Sequence, residues 1–360
     1  MKIGFLKSKI IPLMPNVIND LKKLNLEIYF EKNIGDFIGV DDEEFEKLGA
    51  KGLTKHEILS ICDILVYYKF DEKDLEHIRR ESILIGLFDP YFNKERIKLL
   101  SEKNLTVFSL ELMPRISRAQ NMDVLSSMAT LAGYKAVIIA SYYFNRIFPM
   151  LMTAAGNLLP ARVFVIGAGV AGLSAIATAR RLGAQVSAYD VRPTVKEQVE
   201  SLGAKFVDLG LFAQEEKYGY AKAMDEEFYK KQREAMKEYI KDVDIIITTA
   251  AVLGAKAPIL ITKDMVEVMR KGSIIVDLAI ERGGNCELTK YNEVYEYNGV
   301  KIIGIPDLPS TIPYHASFMY SNNIKNFLKV LIKENTLNLN DEITKETLLI
   351  NRGEINEKFK

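Results

Sequence analysis

The sequence predicts an α/β chain of two doubly wound parallel-sheet domains, joined by a long helix and separated by a cleft. Three observations predict it. Short apolar runs alternate with amphipathic stretches through the first hundred residues, the same alternation restarts at Arg162, and between them lies a breaker-poor stretch rich in alanine, leucine and isoleucine. A length of 360 residues also exceeds one ordinary core and fits two.

In the first alternation, Ile3–Leu6, Leu26–Phe30, Ile64–Tyr68, Ile83–Leu87 and Thr106–Ser109 read as strands because each is a brief apolar run bounded by polar or turn residues. Val17–Leu24, Glu43–Leu48, Leu75–Arg79 and Lys94–Ser101 carry helical spacing of apolar positions. Asp123–Asn145 is the connecting helix. The second set of strands is Val163–Ile166, Val186–Tyr189, Asp244–Thr248, Ser273–Asp277 and Val300–Gly304, and Asn322–Lys333 reads as an amphipathic helix that returns to the first domain. The expected division is residues 1–130 plus 316–360 for a discontinuous first domain and 131–315 for the second. Gln214–Lys222, polar and holding a glycine, reads as a mobile loop, and the polar Asn335–Lys360 as partly disordered.

Charge and cysteine content exclude several classes. Lysine plus arginine equals aspartate plus glutamate at 48 each, so no overall field draws the chain to nucleic acid. Cys62 and Cys286 are the only cysteines; they lack zinc-site spacing and cannot form a disulfide framework, so no metal is expected and a reducing, cytoplasmic setting fits. A membrane span needs about 20 apolar residues. Ile147–Ala161 is short and bounded by Arg146 and Arg162, and Val163–Ala179 contains a glycine turn, so no membrane insertion is expected of this chain.

That glycine turn is the most specific feature. Arg162-Val-Phe-Val-Ile-Gly-Ala-Gly-Val-Ala-Gly172 supplies a strand, a turn and a helix start, and Asp190 ends the next apolar run about 20 residues on, the order of a Rossmann-like dinucleotide site. Gly167 permits the tight turn, Gly169 lets the backbone approach a pyrophosphate, and Gly172 lets the helix pack on the strand. The amides at the helix start face the anion. Asp190 would accept from an adenosine ribose and repel a 2'-phosphate, favouring NAD over NADP; Arg192, nearby, could hold that phosphate or be a solvated, ion-paired side chain.

Other candidates are less specific. In Pro114-Arg-Ile-Ser-Arg-Ala-Gln-Asn-Met-Asp123, Arg115, Gln120 and Asp123, with Ser126, could converge on the cleft, while helix capping accounts equally well for Asp123 and Ser126. Asp277 and Gly283-Gly-Asn285 follow a strand end, where ligand contacts collect in open parallel sheets, and a ligand-free turn explains them equally. Lys69 ends a strand and could serve as acid, base or carboxylate anchor. None of His56, His77 and His315 sits in a catalytic pattern.

Taken together, Gly167-Ala-Gly-Val-Ala-Gly-Leu, Asp190-Val-Arg-Pro, Lys196-Glu-Gln-Val-Glu-Ser-Leu-Gly-Ala-Lys-Phe206, Gly219-Tyr-Ala-Lys222, Val276-Asp-Leu-Ala, Gly283-Gly-Asn-Cys-Glu287 and Pro114-Arg-Ile-Ser-Arg-Ala-Gln120 resemble the NAD(H)-binding component of proton-translocating NAD(P) transhydrogenase. The resemblance is close over roughly residues 100–330. It implies that Arg115, Gln120, Asp123 and Ser126 hold the nicotinamide and its ribose, with Arg115, Gln120 and Asp123 serving the transfer. It places Gly167, Ala168, Gly169 and Val170 at the pyrophosphate, with Gly172 completing the cofactor-binding turn, and Asp190, Val191 and Arg192 at the adenosine end. Gly219, Tyr220, Gln232 and Ala251 lie near the nucleotide, Tyr220 in a mobile loop.

The resemblance further implies direct hydride transfer between NAD(H) here and NADP(H) on a partner subunit, a homodimer, a membrane-spanning subunit, and a location on the inner face of the cytoplasmic membrane. Such a transfer consumes no proton at the site, so it asks for alignment and water exclusion rather than a general acid. Alanine dehydrogenase shares the fold and is the alternative, as is a non-enzymatic NAD-binding module. For the former, Lys7-Ser-Lys-Ile-Ile-Pro-Leu-Met-Pro15 lacks the expected arginine, Asp89 stands where a histidine would fall, and only Lys69 matches. Val252-Leu-Gly-Ala-Lys-Ala-Pro258 also departs from the transhydrogenase pattern.

Overall fold

The computed structural model describes residues 1–212, 225–252 and 254–360. It contains two compact units, Met1–Met128 with Ser310–Lys360, and Ala129–Pro309. In the first unit β1 (Lys2–Phe5), β2 (Glu27–Glu31), β3 (Lys51–Leu53), β4 (Ile64–Lys69), β5 (Ile83–Leu87) and β6 (Thr106–Ser109) pair in parallel in the order β3-β2-β1-β4-β5-β6. The helices between them are α1 (Pro15–Lys22), α2 (Asp42–Lys47), α3 (Lys55–Ile61) and α4 (Lys94–Glu102). One face of the sheet, with Leu65, Tyr67, Leu84 and Val107, packs on Ile58 and Leu59 of α3 and Ile97 and Leu100 of α4.

One local expectation fails, and one helix goes unanticipated. Leu75–Arg79 is not an α-helix: only the 3-10 turn Glu72–Asp74 forms, because Asp71 caps it and the buried Asp74 takes an ion pair from Lys55 at 2.7 Å, giving that stretch a turn to close. The unexpected α3 starts from a capping box, Thr54 and Glu57 each accepting from the other's backbone N–H, an arrangement worth about 1 kcal/mol.

The chain passes between units within α5 (Val124–Tyr143), whose Ala136, Val137 and Ala140 are fully buried in the second unit's core. By length and hydropathy (20 residues, 1.4) α5 is apolar enough to cross a membrane. It is followed by a hairpin, β7 (Leu151–Thr153) and β8 (Gly156–Leu158), that forms a two-stranded sheet of its own with every residue exposed.

The second unit's main sheet has β9 (Arg162–Ile166), β10 (Gln185–Tyr189), β11 (Lys205–Phe206), β12 (Ile245–Thr248), β13 (Ile274–Asp277), β14 (Val294–Tyr297) and β15 (Val300–Ile303), in the order β11-β10-β9-β12-β13-β15-β14, parallel except for β14 at the edge. Alternate residues serve opposite faces. Val163, Val165, Ile245 and Ile247 pack with Ala175, Ile176 and Ala179 of α6 (Val170–Arg181) and Val199 of α7 (Lys196–Ser201). Phe164, Ile166 and Ile246 pack with Met236 and Ile240 of α8 (Glu226–Ile240) and Met265 and Val266 of α9 (Lys263–Glu267). Both faces are therefore covered, the signature of a doubly wound sheet.

The carboxyl-terminal stretch corrects the expectation of disorder. α10 (Pro313–Leu331), begun nine residues earlier than the apolar pattern indicated by the proline at its first turn, buries Tyr320, Ile324, Phe327 and Leu328 in the first unit. A small hairpin, β16 (Ile332–Lys333) and β17 (Thr336–Leu337), and α11 (Glu342–Thr347) lead to β18 (Leu348–Asn351) and β19 (Glu354–Ile355), which extend the first sheet antiparallel beyond β6. Polar composition misled here because the inward-facing residues include only three apolar ones that are fully buried, Ile343, Leu349 and Ile350, beside the buried Thr344 and Thr347, and a strand paired along one edge needs few apolar residues.

Candidate functional site

In the second unit β9 ends at Ile166 and the chain turns at Gly167 with φ +97°, the left-handed region that favours glycine. Its N–H donates to the Tyr189 carbonyl at 2.8 Å and its carbonyl accepts from Thr249 Oγ1 at 2.9 Å. A Cβ at Gly172 would sit 1.9 Å from that same carbonyl oxygen, so the third glycine is required by protein packing, as expected. Gly169 differs: it has an ordinary φ of −76°, and a Cβ there would meet no atom of the described residues within 4 Å. Among the described residues nothing asks for glycine at 169; a ligand approaching the backbone would. The first turn of α6 has no side-chain cap and no acidic residue, while its last turn carries Arg180 and Arg181, which leaves the positive end of the helix dipole to an anion.

Asp190, 6% exposed, faces this turn. Its Oδ2 accepts from the Ala168 N–H at 2.7 Å and from Arg192 Nη2 at 2.8 Å, and its Oδ1 from the backbone N–H and Nε of Arg192, both at 2.9 Å. The Arg192 guanidinium thus lies folded on Asp190 rather than extended toward a phosphate. Val191 packs at the edge of the second core cluster.

A polar frame fixes the strand ends around the turn. Asp277, 1% exposed, accepts from Thr248 Oγ1 (3.0 Å), Ala279 N–H (3.0 Å), Asn285 N–H (2.8 Å), Cys286 N–H (3.0 Å) and Thr289 Oγ1 (2.9 Å). With its lone pairs met by protein donors, Asp277 is a structural hub, the ligand-free reading of this turn. Asn285, fully buried, accepts from Ala250 N–H at 3.0 Å and donates to the Ala250 carbonyl at 2.9 Å, holding the segment before Ala251 as a neighbouring strand would. Sequence reasoning gave Thr249 no role and Asn285 none beyond its turn; their signal was only their place after strand ends.

In the first unit Arg115 and Gln120 are exposed, and Gln120 lies on a six-residue 3-10 helix, Ser117–Met122. Asp123 follows as the cap of α5: its Oδ1 accepts from the Ser126 N–H at 2.9 Å and its Oδ2 from Ser126 Oγ at 2.6 Å. The structure brings these two together through the capping geometry.

Gln232 is 2% exposed and donates from Nε2 to the Tyr189 hydroxyl at 3.1 Å, while its Oε1 has no partner among the described residues. Burial pushes the Tyr189 phenol up to about 12, so it stays protonated. Ala251 is exposed, and Gly219 and Tyr220 lie outside the described residues. Lys69 is exposed at the end of β4 with Nζ 5.6 Å from the Tyr68 ring centroid. Asp89 has φ +56° and donates its N–H to Glu111 Oε1 at 2.7 Å. Glu111, which also accepts from Ser109 Oγ at 2.6 Å, went unnoticed in the sequence; burial pushes its carboxyl above the usual range. His56 and His77 stack at 5.2 Å on an exposed surface. Among the described residues no group of three or more His, Cys, Asp or Glu side chains could hold a metal ion.

Comparison with known proteins covers both units. Residues 7–132 match the family model "Alanine dehydrogenase/PNT, N-terminal domain" and residues 136–358 its "C-terminal domain". The chain is 43% identical over 369 aligned positions to an NAD(P) transhydrogenase subunit alpha polypeptide of Rickettsia prowazekii, covering 99% of this chain and 96% of that one. The structure of transhydrogenase from Sinorhizobium meliloti superposes with a TM-score of 0.90 at 41% identity, over 99% of this chain and 100% of the other. Alanine dehydrogenase 1 of Staphylococcus aureus is 27% identical over 89% of this chain and 83% of its own length.

Proposed function

The chain belongs to the alanine dehydrogenase/PNT family, on the side of its NAD(P) transhydrogenase alpha subunits, and on that premise we propose that it transfers hydride directly between NAD(H) bound here and NADP(H) bound on a partner subunit. In this reading a separate membrane-spanning subunit couples the transfer to proton movement, and the chain sits on the cytoplasmic face of that complex. The observation that carries nucleotide binding is Gly169, a glycine that no described residue requires, at the uncapped start of α6. Gly167, Ala168, Gly169 and Val170 would hold the pyrophosphate through backbone amides and close approach, with Gly172 letting α6 pack close enough to aim them. Asp190 would accept from the adenosine ribose once the Arg192 fork gives up one of its hydrogen bonds, which favours NAD over NADP. Val191 would line the adenosine side, with Gly219, Tyr220, Gln232 and Ala251 near the nucleotide.

NADH, when bound, supplies the hydride. The tasks left to the chain are alignment and exclusion of water, assigned to Arg115, Gln120, Asp123 and Ser126. A homodimer is supported by the β7–β8 hairpin. Met150, Met152 and Leu159 lie on one face and Leu151 and Leu158 on the other, 45–80% exposed, and an isolated two-stranded hairpin is marginal without a partner.

The test is to mix the purified chain with an NADP-binding transhydrogenase component and follow hydride transfer from NADH to an NADP analogue. Transfer that requires both proteins is expected. No transfer, together with NADH oxidation by this chain alone that depends on pyruvate and ammonia, would establish the amino-acid dehydrogenase reading instead.

A further inference from the structure

The 3-10 helix Ser117–Met122 is longer than the three or four residues such helices usually sustain, and its hydrogen-bond geometry gives it little stability of its own. Something else must hold it. In a 3-10 helix residues three apart eclipse, so this one has three distinct faces. Ala119 (fully buried) and Met122 (5% exposed) form the face on the core.

Arg118 and Asn121 form the second face, and the Arg118 side chain and the Asn121 main-chain carbonyl, at the helix's carboxyl end, are held by residues more than 200 positions away. Arg118 donates from Nη1 to Asp341 Oδ2 at 2.7 Å and from Nη2 to Asp341 Oδ1 at 2.9 Å, a two-pronged fork. Asp341 is itself fixed, since as the cap of α11 it accepts from the Ile343 N–H at 2.9 Å. The Asn121 carbonyl accepts from Nδ2 of Asn323 at 2.9 Å and of Asn326 at 3.1 Å, side chains one turn apart on α10. Asn323 is buried and its Oδ1 has no partner among the described residues, an unfavourable burial tolerated where its amide is committed to Asn121. The third face carries Ser117 and Gln120, and Asp123 follows directly after the helix with extended backbone, its carboxylate held by Ser126.

We propose that Asp341, Asn323 and Asn326 are positioning residues: they spend the second face of this helix on the carboxyl-terminal elements so that the third presents Gln120, and the helix end Asp123, in fixed register to the nicotinamide. This rests on the transhydrogenase reading above. The contacts lie wholly within the first unit and touch none of the residues assigned to the pyrophosphate or adenosine.

The test uses the full chain with the NADP-binding component, comparing wild type with Asp341→Asn, Asp341→Glu and Asn326→Ala. Single-turnover transfer should fall about 10- to 100-fold in Asp341→Asn, the scale of a misplacement near 1 Å, with NADH affinity by nicotinamide fluorescence within about twofold. Asp341→Glu should recover part of the rate, Asn326→Ala should show a smaller loss, and amide exchange over residues 117–122 should rise in proportion. Unchanged transfer, or transfer and affinity falling together, would overturn the proposal. If the wild type transfers no hydride, the transhydrogenase reading fails, and NADH-induced exchange protection of residues 117–122 decides the positioning role: protection lost in Asp341→Asn upholds it, and its absence in the wild type overturns it.

Discussion

The glycine turn of the second unit and the 114–126 segment of the first are built on opposite plans. The turn is assembled from consecutive residues whose constraints are steric and local. Gly172 exists because the Gly167 carbonyl is 1.9 Å from where its Cβ would be, and Thr249 closes the same carbonyl from the adjacent strand end. The segment is assembled from a weak helical type and is held by Asp341, Asn323 and Asn326. On the proposed function, the turn that would cradle phosphate is made from backbone that has nowhere else to go, and the face that would align the nicotinamide is held in place by distant side chains.

Breaking the turn should have the largest effect. Gly172→Val places carbon where the Gly167 carbonyl lies, so about 3 kcal/mol of stability and over ~100-fold of NADH affinity should be lost, read by thermal melting and fluorescence titration. Near-normal affinity would show that the turn is not the nucleotide site. Gly169→Ala separates fold from ligand. With no atom of the described residues near its Cβ, stability should stay within about 0.5 kcal/mol while NADH affinity drops about tenfold. A stability loss without an affinity loss would place the need for glycine in the protein.

The smallest effect is one of pH. Arg118 holds the Asp341 carboxyl below the usual carboxylate range, and Lys329 with Lys23 lowers Asp20 to about 2. Both groups have depressed folded values, so their contribution is complete above the ordinary value near 4 and is lost as pH falls below it, toward about 2 in the case of Asp20. Exchange protection of residues 117–122 should decline over that interval in the wild type and be flat in Asp341→Asn; a flat wild-type profile would count against an ionic hold.

The difference in plan also explains what was legible. Strand–glycine turn–helix–acid is a run of local demands, so β9, α6 and Asp190 were readable to within a residue. The inner strands of both sheets were found for the same reason: they are unbroken apolar runs such as Ile64–Tyr68 and Val163–Ile166, whereas the short or polar β3, β11, β14, β18 and β19 were not. What escaped depends on distant partners. β18 is a strand because β6 offers an edge, and Asn285 matters because its amide meets Ala250. Arg118 was given no role of its own because its partner, Asp341, is 223 residues away. Leu75–Arg79 has helical spacing, but a buried ion pair at Asp74 sets its backbone.

The antiparallel pairing of β18 with β6 imposes an order on synthesis. The second unit is one continuous stretch and can close its core while residues 310–360 are still being made. The first unit cannot: until residue 351 emerges, β6 is an unprotected strand edge, and until residue 331 emerges, the face that receives Phe327 is bare. The half that is translated first is therefore completed last, and a pause or truncation after residue 309 would leave a finished nucleotide unit tethered to an open, aggregation-prone sheet.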